Sequence, residues 1–229
     1  MIIKSINEQL EKLHARYPGL IVVDNTKTNI RLSGDIVVYC TARGFTVDSI
    51  YLIEVNIPLA TDQLPTVTDI GGNIDPGYIH RYTNGVLCLE TDTAVRFRFI
   101  DGFDLVAWME EYVEQYFFSY EYFQRYGEFP FGERPHGCNG ILDTYRDRWN
   151  CKSADETVAL FLYAAKGKYR GHDPCPCRSG RRVRNCHGND LFKLISDERY
   201  HRIVIDDLKK IETEYTEYEK TRKNPKTAK

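Results

Sequence analysis

The first part of the chain carries short, mainly apolar runs bounded by polar residues, which is typical of β-strands. Three runs are rich in β-branched residues and are separated by polar or glycine-containing turns: LIVVD (20–24), IRLSGDIVVYC (30–40) and SIYLIEVNIP (49–58). This pattern predicts an antiparallel meander. A capping box, Ser5-x-x-Glu8, predicts a preceding helix that ends at Pro18-Gly19. Residues 61–87 contain six glycines and prolines, so we expect a long irregular segment that ends at a strand carrying Cys88.

From Gly102 onward, apolar residues recur three and four positions apart, which predicts helices. The first is aromatic and ends at Gly127, and a further helix covers residues 141–149. A second capping box, Ser153-x-x-Glu156, opens a helix that Gly167 closes. The last helix carries an apolar stripe: Leu208, Ile211, Tyr215 and Tyr218. The element order predicts an α+β fold.

Composition narrows the class of protein. A chain of 229 residues suits one main fold and one small module. The net charge of −2 argues against a general polyanion binder, although residues 166–184 hold seven cations and one acid and are net +6. No apolar run approaches the roughly 20 residues that span a bilayer, and no secretion signal begins the chain, so we expect a cytoplasmic protein without a membrane partner. Seven cysteines, three of them within 175–186, favour metal binding and a reactive thiol over a disulfide framework.

The clustered cysteines predict a zinc site. Cys175-x-Cys177 and Cys186-His187 supply three thiolates and one imidazole, a ligand set that Zn²⁺ binds tetrahedrally. Four protein ligands leave no open position for water, so the predicted zinc is structural. The alternative, four unligated residues in a loop, leaves this short hydrophilic segment with little else to fold around.

The same segment, CPCRSGRRVRNCHG, resembles the SEC-C motif, a small zinc module appended to many bacterial proteins. The resemblance covers residues 173–188 and includes all four ligands. In that family the module mediates protein contacts, including contacts with a chaperone and the ribosome. The resemblance therefore implies an appended module and does not indicate the main activity of the protein.

Cys88 allows two interpretations. Between Leu87 and Leu89 it is typical of a buried small apolar residue. It also follows a long glycine- and proline-rich segment, where reactive groups are common, and His80 precedes it by eight residues.

The order of elements resembles the ubiquitin-conjugating (UBC) family, in particular its divergent prokaryotic branch. Gly85-Val-Leu-Cys88-Leu matches the family's cysteine segment, IPLATDQLPTV (57–67) stands where its proline-rich stretch falls, and Trp108 opens the following helix. GERPHG (132–137) is similar to a segment of bacterial homologues, some of them encoded in anti-phage operons beside a cyclic-nucleotide-making nucleotidyltransferase. The resemblance spans roughly residues 1–150.

This resemblance implies a UBC-like fold and a thioester carried on Cys88. The family's asparagine, which stabilises the oxyanion, aligns with His80 inside GYIHR, so His80 is the expected donor. His136 is a second candidate, as general base or donor, and Cys138 is the rival nucleophile, ranked lower because no predicted strand fixes it. The non-catalytic alternatives are that His80 is a solvated loop histidine and that His136 makes a structural hydrogen bond.

The resemblances also imply a domain division: a conjugating-like domain (1–150), a connecting helix (151–170), the zinc module (171–188) and a helical tail (189–229). The expected partners are an activating enzyme, a ubiquitin-like protein or a nucleotidyltransferase with a similar C-terminal glycine tail, and a target protein. Two alternatives stay open. One is a catalytically silent adaptor that docks a protein or a ribosome through the zinc module. The other, which the net charge does not favour, is nucleic-acid binding through the basic segment and the lysine-rich tail.

Overall fold

The computed structural model describes residues 6–60 and 63–223 and has an α+β architecture. Its strands are β1 (Leu20–Asn25), β2 (Asn29–Ala42), β3 (Phe45–Pro58) and β4 (Thr66–Asp69). Its α-helices are α1 (Ile6–Arg16), α2 (Asp92–Arg98), α3 (Leu105–Trp108), α4 (Gln115–Tyr126), α5 (Gly137–Trp149), α6 (Ala154–Ala165), α7 (Gly188–Ser196) and α8 (Glu198–Lys223). A π-helical stretch, Met109–Glu114, joins α3 to α4, and a 3₁₀ turn, Val183–Asn185, precedes α7.

The four strands form one antiparallel sheet in the order β1-β2-β3-β4. The long β2–β3 hairpin turns through Arg43 and Gly44, whose φ angles are 49° and 75°. Two successive positive φ angles are what a type I′ turn requires, and its twist matches that of the strands. Alternate residues of both strands are buried on one face, as the period of two predicts.

The buried face of the sheet packs against the helix that runs from α3 through the π-helical stretch to α4. The rings of Tyr51 in β3 and Phe117 in α4 stack with centroids 4.0 Å apart. Buried Glu114 accepts hydrogen bonds from the Tyr17 hydroxyl (2.6 Å) and the Arg16 guanidinium (3.1 Å), which attaches the end of α1 to the same helix. This core places the segment that follows β4 beside α4.

The structure differs from the sequence-based prediction at several elements; α2, for example, was not predicted. β4 lies inside residues 61–87, which were expected to be irregular, and Cys88 is not in a strand, because only Val86 and Leu87 form isolated bridges there. By contrast, the Ser153 hydroxyl accepts a hydrogen bond from the Glu156 amide at the start of α6, so the second capping box is confirmed.

Some predictions concern residues outside those described. These residues are Ser5 of the first capping box, residues 61–62 of the 57–67 segment and residues 224–229 of the lysine-rich tail. The described helices include none that is both long and apolar enough to cross a membrane.

The chain divides into two compact units. The first contains residues 1–92 and 99–133, and the second contains residues 93–98 and 134–229. In the second unit the ring of Phe97 stacks on Tyr200 and meets the edge of Tyr145. The Arg148 guanidinium lies 4.6 Å from the Phe97 ring centroid. Residues 93–98 are therefore packed among α5 and α8.

Candidate functional site

The loop that precedes Cys88 begins at a buried carboxylate. Asp69, the last residue of β4, accepts hydrogen bonds from the backbone amides of Gly71 (3.2 Å) and Ile74 (2.7 Å). The Tyr120 hydroxyl accepts a bond from the amide of Asp75 (3.1 Å), which attaches the loop to α4. Together with the bonds from the Ile70 and Gly71 amides to the Leu52 carbonyl of β3 (both 3.0 Å), these hydrogen bonds fix an irregular path.

A tight turn then folds the chain back before Cys88. The amide of Tyr82 donates to the carbonyl of Val86 (2.9 Å), and Gly85 has a φ of 86°, a left-handed conformation that glycine adopts without strain. The Cys88 amide donates to the His80 carbonyl at 2.8 Å. Cys88 is therefore held by a backbone hydrogen bond within its own loop, and the preceding residue, Leu87, donates to the carbonyl of Val67 in β4 (2.8 Å).

This turn brings His80 and Cys88 together. A ring nitrogen of His80 lies within 4.8 Å of Cys88 Sγ, and both residues are half-buried. The imidazole meets the rings of Tyr78 and Phe129 edge to face, with centroids 5.6 and 5.2 Å away. The Tyr116 hydroxyl donates to the His80 carbonyl at 3.0 Å. Aromatic side chains from two parts of the first unit thus orient the imidazole beside the sulfur.

The surroundings of Cys88 favour the neutral thiol. Burial raises its pKa, a hydrogen bond with the Tyr82 hydroxyl partly offsets this effect, and the carboxylates of Glu90 and Asp92 add to it. The same hydrogen bond, together with burial, raises the pKa of Tyr82. Cys88 therefore suits exchange with an activated acyl group better than attack on an unactivated one.

Tyr82 and Tyr116 are functional candidates that the sequence-based analysis missed. Tyr82 contacts the sulfur, and 54% of its surface is exposed. The turn signal Asn84-Gly85, which folds Tyr82 back toward Cys88, was the pattern that could have identified it. Tyr116 gave no such signal, because its contact with His80 depends on tertiary packing.

The other two predicted catalytic candidates belong to the second unit. His136 is exposed and is the N-cap residue of α5, and its role toward Cys88 stays a prediction. Cys138 lies in the first turn of α5, where its amide donates to Glu214 (2.7 Å). Burial raises the pKa of Cys138, and its hydrogen bond to Glu214 raises it further. A carboxylate bonded to the thiol makes Cys138 a poor nucleophile.

The predicted zinc ligands converge in the second unit. One ligand atom from each of Cys175, Cys177, Cys186 and His187 lies within 4.8 Å of the other three. His187 Nδ1 lies 3.4 Å from Cys175 Sγ and 3.3 Å from Cys186 Sγ, and the sulfurs of Cys177 and Cys186 are 3.5 Å apart. A tetrahedral site with Zn–S bonds of roughly 2.3 Å has edges of roughly 3.5–3.8 Å. The four donors therefore fit a tetrahedral metal ion of that size.

The polypeptide around these ligands is built to hold them. The Cys175 amide donates to the Arg181 carbonyl (2.8 Å), and buried Val183 forms a backbone bond to Asp173 (2.9 Å). Burial opposes ionisation of Cys177, but hydrogen bonds from Ser179 and the neighbouring thiols outweigh it and lower the pKa of Cys177 to about 6, whereas burial raises the pKa of Cys175. An ionised thiol is the form that binds a metal.

The second ring nitrogen of His187 faces the end of α5. His187 Nε2 lies 3.2 Å from the carbonyl oxygen of Trp149. If Nδ1 binds a metal, Nε2 carries the proton and donates to this carbonyl, a common arrangement around histidine ligands. The Trp149 indole in turn donates to Asp190 of α7 (2.8 Å). The ligand cluster is thus connected directly to two helices.

Comparison with known proteins gives no match for this chain, whether to a protein-family model, a curated protein or a solved structure.

Proposed function

We propose that this protein is a ubiquitin-conjugating-like transferase that carries an acyl group as a thioester on Cys88. The observation that carries the proposal is the imidazole of His80 within 4.8 Å of a half-buried thiol on a fixed loop. The antiparallel four-stranded sheet followed by this loop and a long helix is consistent with the UBC-like fold that the sequence resembles. The acyl donor is a ubiquitin-like protein, or a nucleotidyltransferase with a similar glycine tail, as expected in an anti-phage pathway.

Loading is a thiol exchange. The Cys88 sulfur attacks the carbonyl carbon of a thioester held by the activating enzyme, and a C–S bond forms at Cys88. The bond to the activating enzyme's sulfur breaks, and that sulfur leaves with the electron pair and takes up the proton released by Cys88. Such an exchange tolerates the raised pKa of Cys88 because the acyl group arrives activated.

Transfer forms an amide or a new thioester. An amine of the target protein attacks the Cys88 thioester, the C–N bond forms, and the Cys88 sulfur leaves as a thiolate while the ammonium proton passes to water. A thiol acceptor reacts in the same way. An N–H of His80 is the proposed donor to the oxyanion that develops in this step. His136 is the proposed second donor or base.

Loading can be tested without the natural activating enzyme. The full chain is incubated with a small protein whose C-terminal Gly-Gly is a mercaptoethanesulfonate thioester, and adducts are measured by intact mass. We expect one adduct, which dithiothreitol removes and which Cys88→Ala abolishes. Cys138→Ala is the matched control and should load like the wild type. An adduct that persists in Cys88→Ala would refute the assignment.

We also propose that Cys175, Cys177, Cys186 and His187 hold a structural Zn²⁺ in a SEC-C-like module. The tetrahedral spacing of three thiols and one imidazole supports this. When bound, the metal crosslinks this segment. None of the seven cysteines is in a disulfide, which suits a reducing compartment such as the cytoplasm.

The second candidate function is a catalytically silent adaptor that docks a protein partner through the zinc module. The raised pKa of Cys88, due first to burial, favours it, since an unreactive thiol has this property too. In a cellular assay of the protein's biological effect, the adaptor predicts that Cys88→Ser retains activity and Cys175→Ser loses it. The transferase predicts that Cys88→Ser abolishes activity.

A further inference from the structure

The segment that holds the predicted zinc ligands presents an unusually dense set of cations. Seven basic side chains in this segment are all exposed: Lys166, Lys168, Arg170, Arg178, Arg181, Arg182 and Arg184. We name this set the basic surface. Since the whole chain has a net charge of −2 and residues 166–184 are net +6, the other residues together carry −8. Positive potential is therefore concentrated on one small module.

The cations of the basic surface lack acidic partners. None of the seven forms an ion pair with a carboxylate among the described residues, and the Arg184 guanidinium lies 3.4 Å from the imidazole of His172. Arginines in other parts of the same unit do form ion pairs, among them Arg148 with Asp190 and Arg199 with Asp197. Unneutralised charges repel each other, so their retention on one module favours an anionic ligand.

Aromatic side chains border the basic surface. Phe192 of α7 is 53% exposed, and its ring meets Tyr169 edge to face at 5.2 Å. Gly171 lies against both Tyr169 and Arg184, since a Cβ at Gly171 would be 3.1 Å from the Tyr169 hydroxyl and 3.3 Å from Arg184 Cβ. The exposed ring of Phe192 is therefore connected, through Tyr169 and Gly171, to Arg184 of the basic surface.

We propose that the basic surface binds single-stranded nucleic acid. Five of its seven cations are arginines, whose planar guanidinium groups match phosphate oxygens in a fork. Exposed aromatic rings beside such cations are the platforms on which unpaired bases stack. The acidic remainder of the chain repels a polyanion, which confines the contact to this module. An acidic protein surface would form ion pairs with the arginines, but its binding would not depend on the ring of Phe192.

The test measures fluorescence anisotropy of a labelled 20-nucleotide uridine oligomer with the zinc-loaded full chain. Because the basic surface is expected to contact about five phosphates, its affinity for the oligomer should fall about a hundredfold between 50 and 200 mM salt. Arg181→Gln/Arg182→Gln should weaken binding about tenfold and flatten the logarithmic salt slope by roughly 1.4. Phe192→Ala should weaken binding about fivefold or more.

The control variant changes arginines that lie outside the basic surface. Arg199→Gln/Arg202→Gln removes two exposed arginines of the same unit that are already ion-paired, and it should bind like the wild type. Zinc content and circular dichroism establish that each variant is folded. The proposal is overturned if the oligomer does not bind at 50 mM salt. It is likewise overturned if the two double-arginine variants lose affinity for the oligomer equally. It is also overturned if polyglutamate of equal charge competes as well as unlabelled oligomer, which would identify an acidic protein as the ligand.

Discussion

At the scale of single residues, the environment of Cys88 is set by opposing effects. Burial and two carboxylates disfavour its thiolate, while the Tyr82 hydroxyl stabilises it. The balance leaves a thiol that is accessible to an activated acyl group but slow toward weaker electrophiles. Tyr82 is therefore the residue whose removal should most directly change the thiol's ionisation without changing the loop backbone.

We predict that Tyr82→Phe slows alkylation of Cys88 by iodoacetamide roughly three- to tenfold at pH 7.5. The phenylalanine keeps the ring but donates no hydrogen bond to the thiolate, so the pKa of Cys88 rises and the pH–rate profile moves to higher pH. The rate at each pH is followed by mass spectrometry. Tyr126→Phe, at an exposed tyrosine of α4, is the control and should leave the profile unchanged. A faster reaction in Tyr82→Phe would contradict the prediction.

At the scale of elements, local patterns predicted much of the fold. The β-branched runs predicted β1, β2 and β3, and Cys and His spacing alone identified the four residues whose ligand atoms the structure brings together as a possible metal site. β4 was missed because four residues, Thr66–Asp69, carry too little pattern on their own and are defined as a strand by their pairing with β3. The contact between Cys88 and Tyr82 was missed for a similar reason, since it depends on an irregular loop path, which hydrogen bonds from the loop amides to buried Asp69 help to fix and which no repeating pattern encodes.

We predict that removing the metal destabilises α5 and α7 as well as the ligand loop. His187 Nε2 faces the last turn of α5 at Trp149, and Trp149 donates to Asp190 in the first turn of α7, so the ligand cluster is part of the helical packing. Cys175→Ser should lose the bound zinc and lower the free energy of unfolding by about 2–5 kcal/mol. Zinc content, urea unfolding and hydrogen exchange of both helices measure this. Cys151→Ser, outside the four ligands, is the control. Unchanged hydrogen exchange in α5 and α7 would show that the metal-binding module folds independently of these helices.

At the scale of the whole molecule, the chain enters its second unit twice, at residues 93–98 and again from residue 134. Buried Asp207 of α8 joins these segments, because it accepts hydrogen bonds from the Thr93 hydroxyl (2.9 Å) and the Tyr145 hydroxyl (2.9 Å). Only 3% of Asp207 is exposed. Burial raises the pKa of Asp207 to about 6, against the opposing effect of the two hydroxyls.

This carboxyl should make the stability of the second unit depend on pH. The folded pKa lies above the unfolded value, so the fold binds more protons than the unfolded chain, and the contribution of Asp207 is fully present below pH 4 and is lost as pH rises through 6. A difference of about two between the two pKa values corresponds to at most about 3 kcal/mol. Asp207→Asn cannot ionise but can still bond both hydroxyls. The wild type should therefore lose about 2 kcal/mol relative to this variant between pH 4 and 7, measured by urea unfolding. Asp206→Asn, at the more exposed neighbour that pairs with Arg96, should keep the wild-type slope. Parallel curves for wild type and Asp207→Asn would mean that the carboxyl is already ionised in the folded protein at pH 4, and that the hydroxyls, and not burial, control its charge.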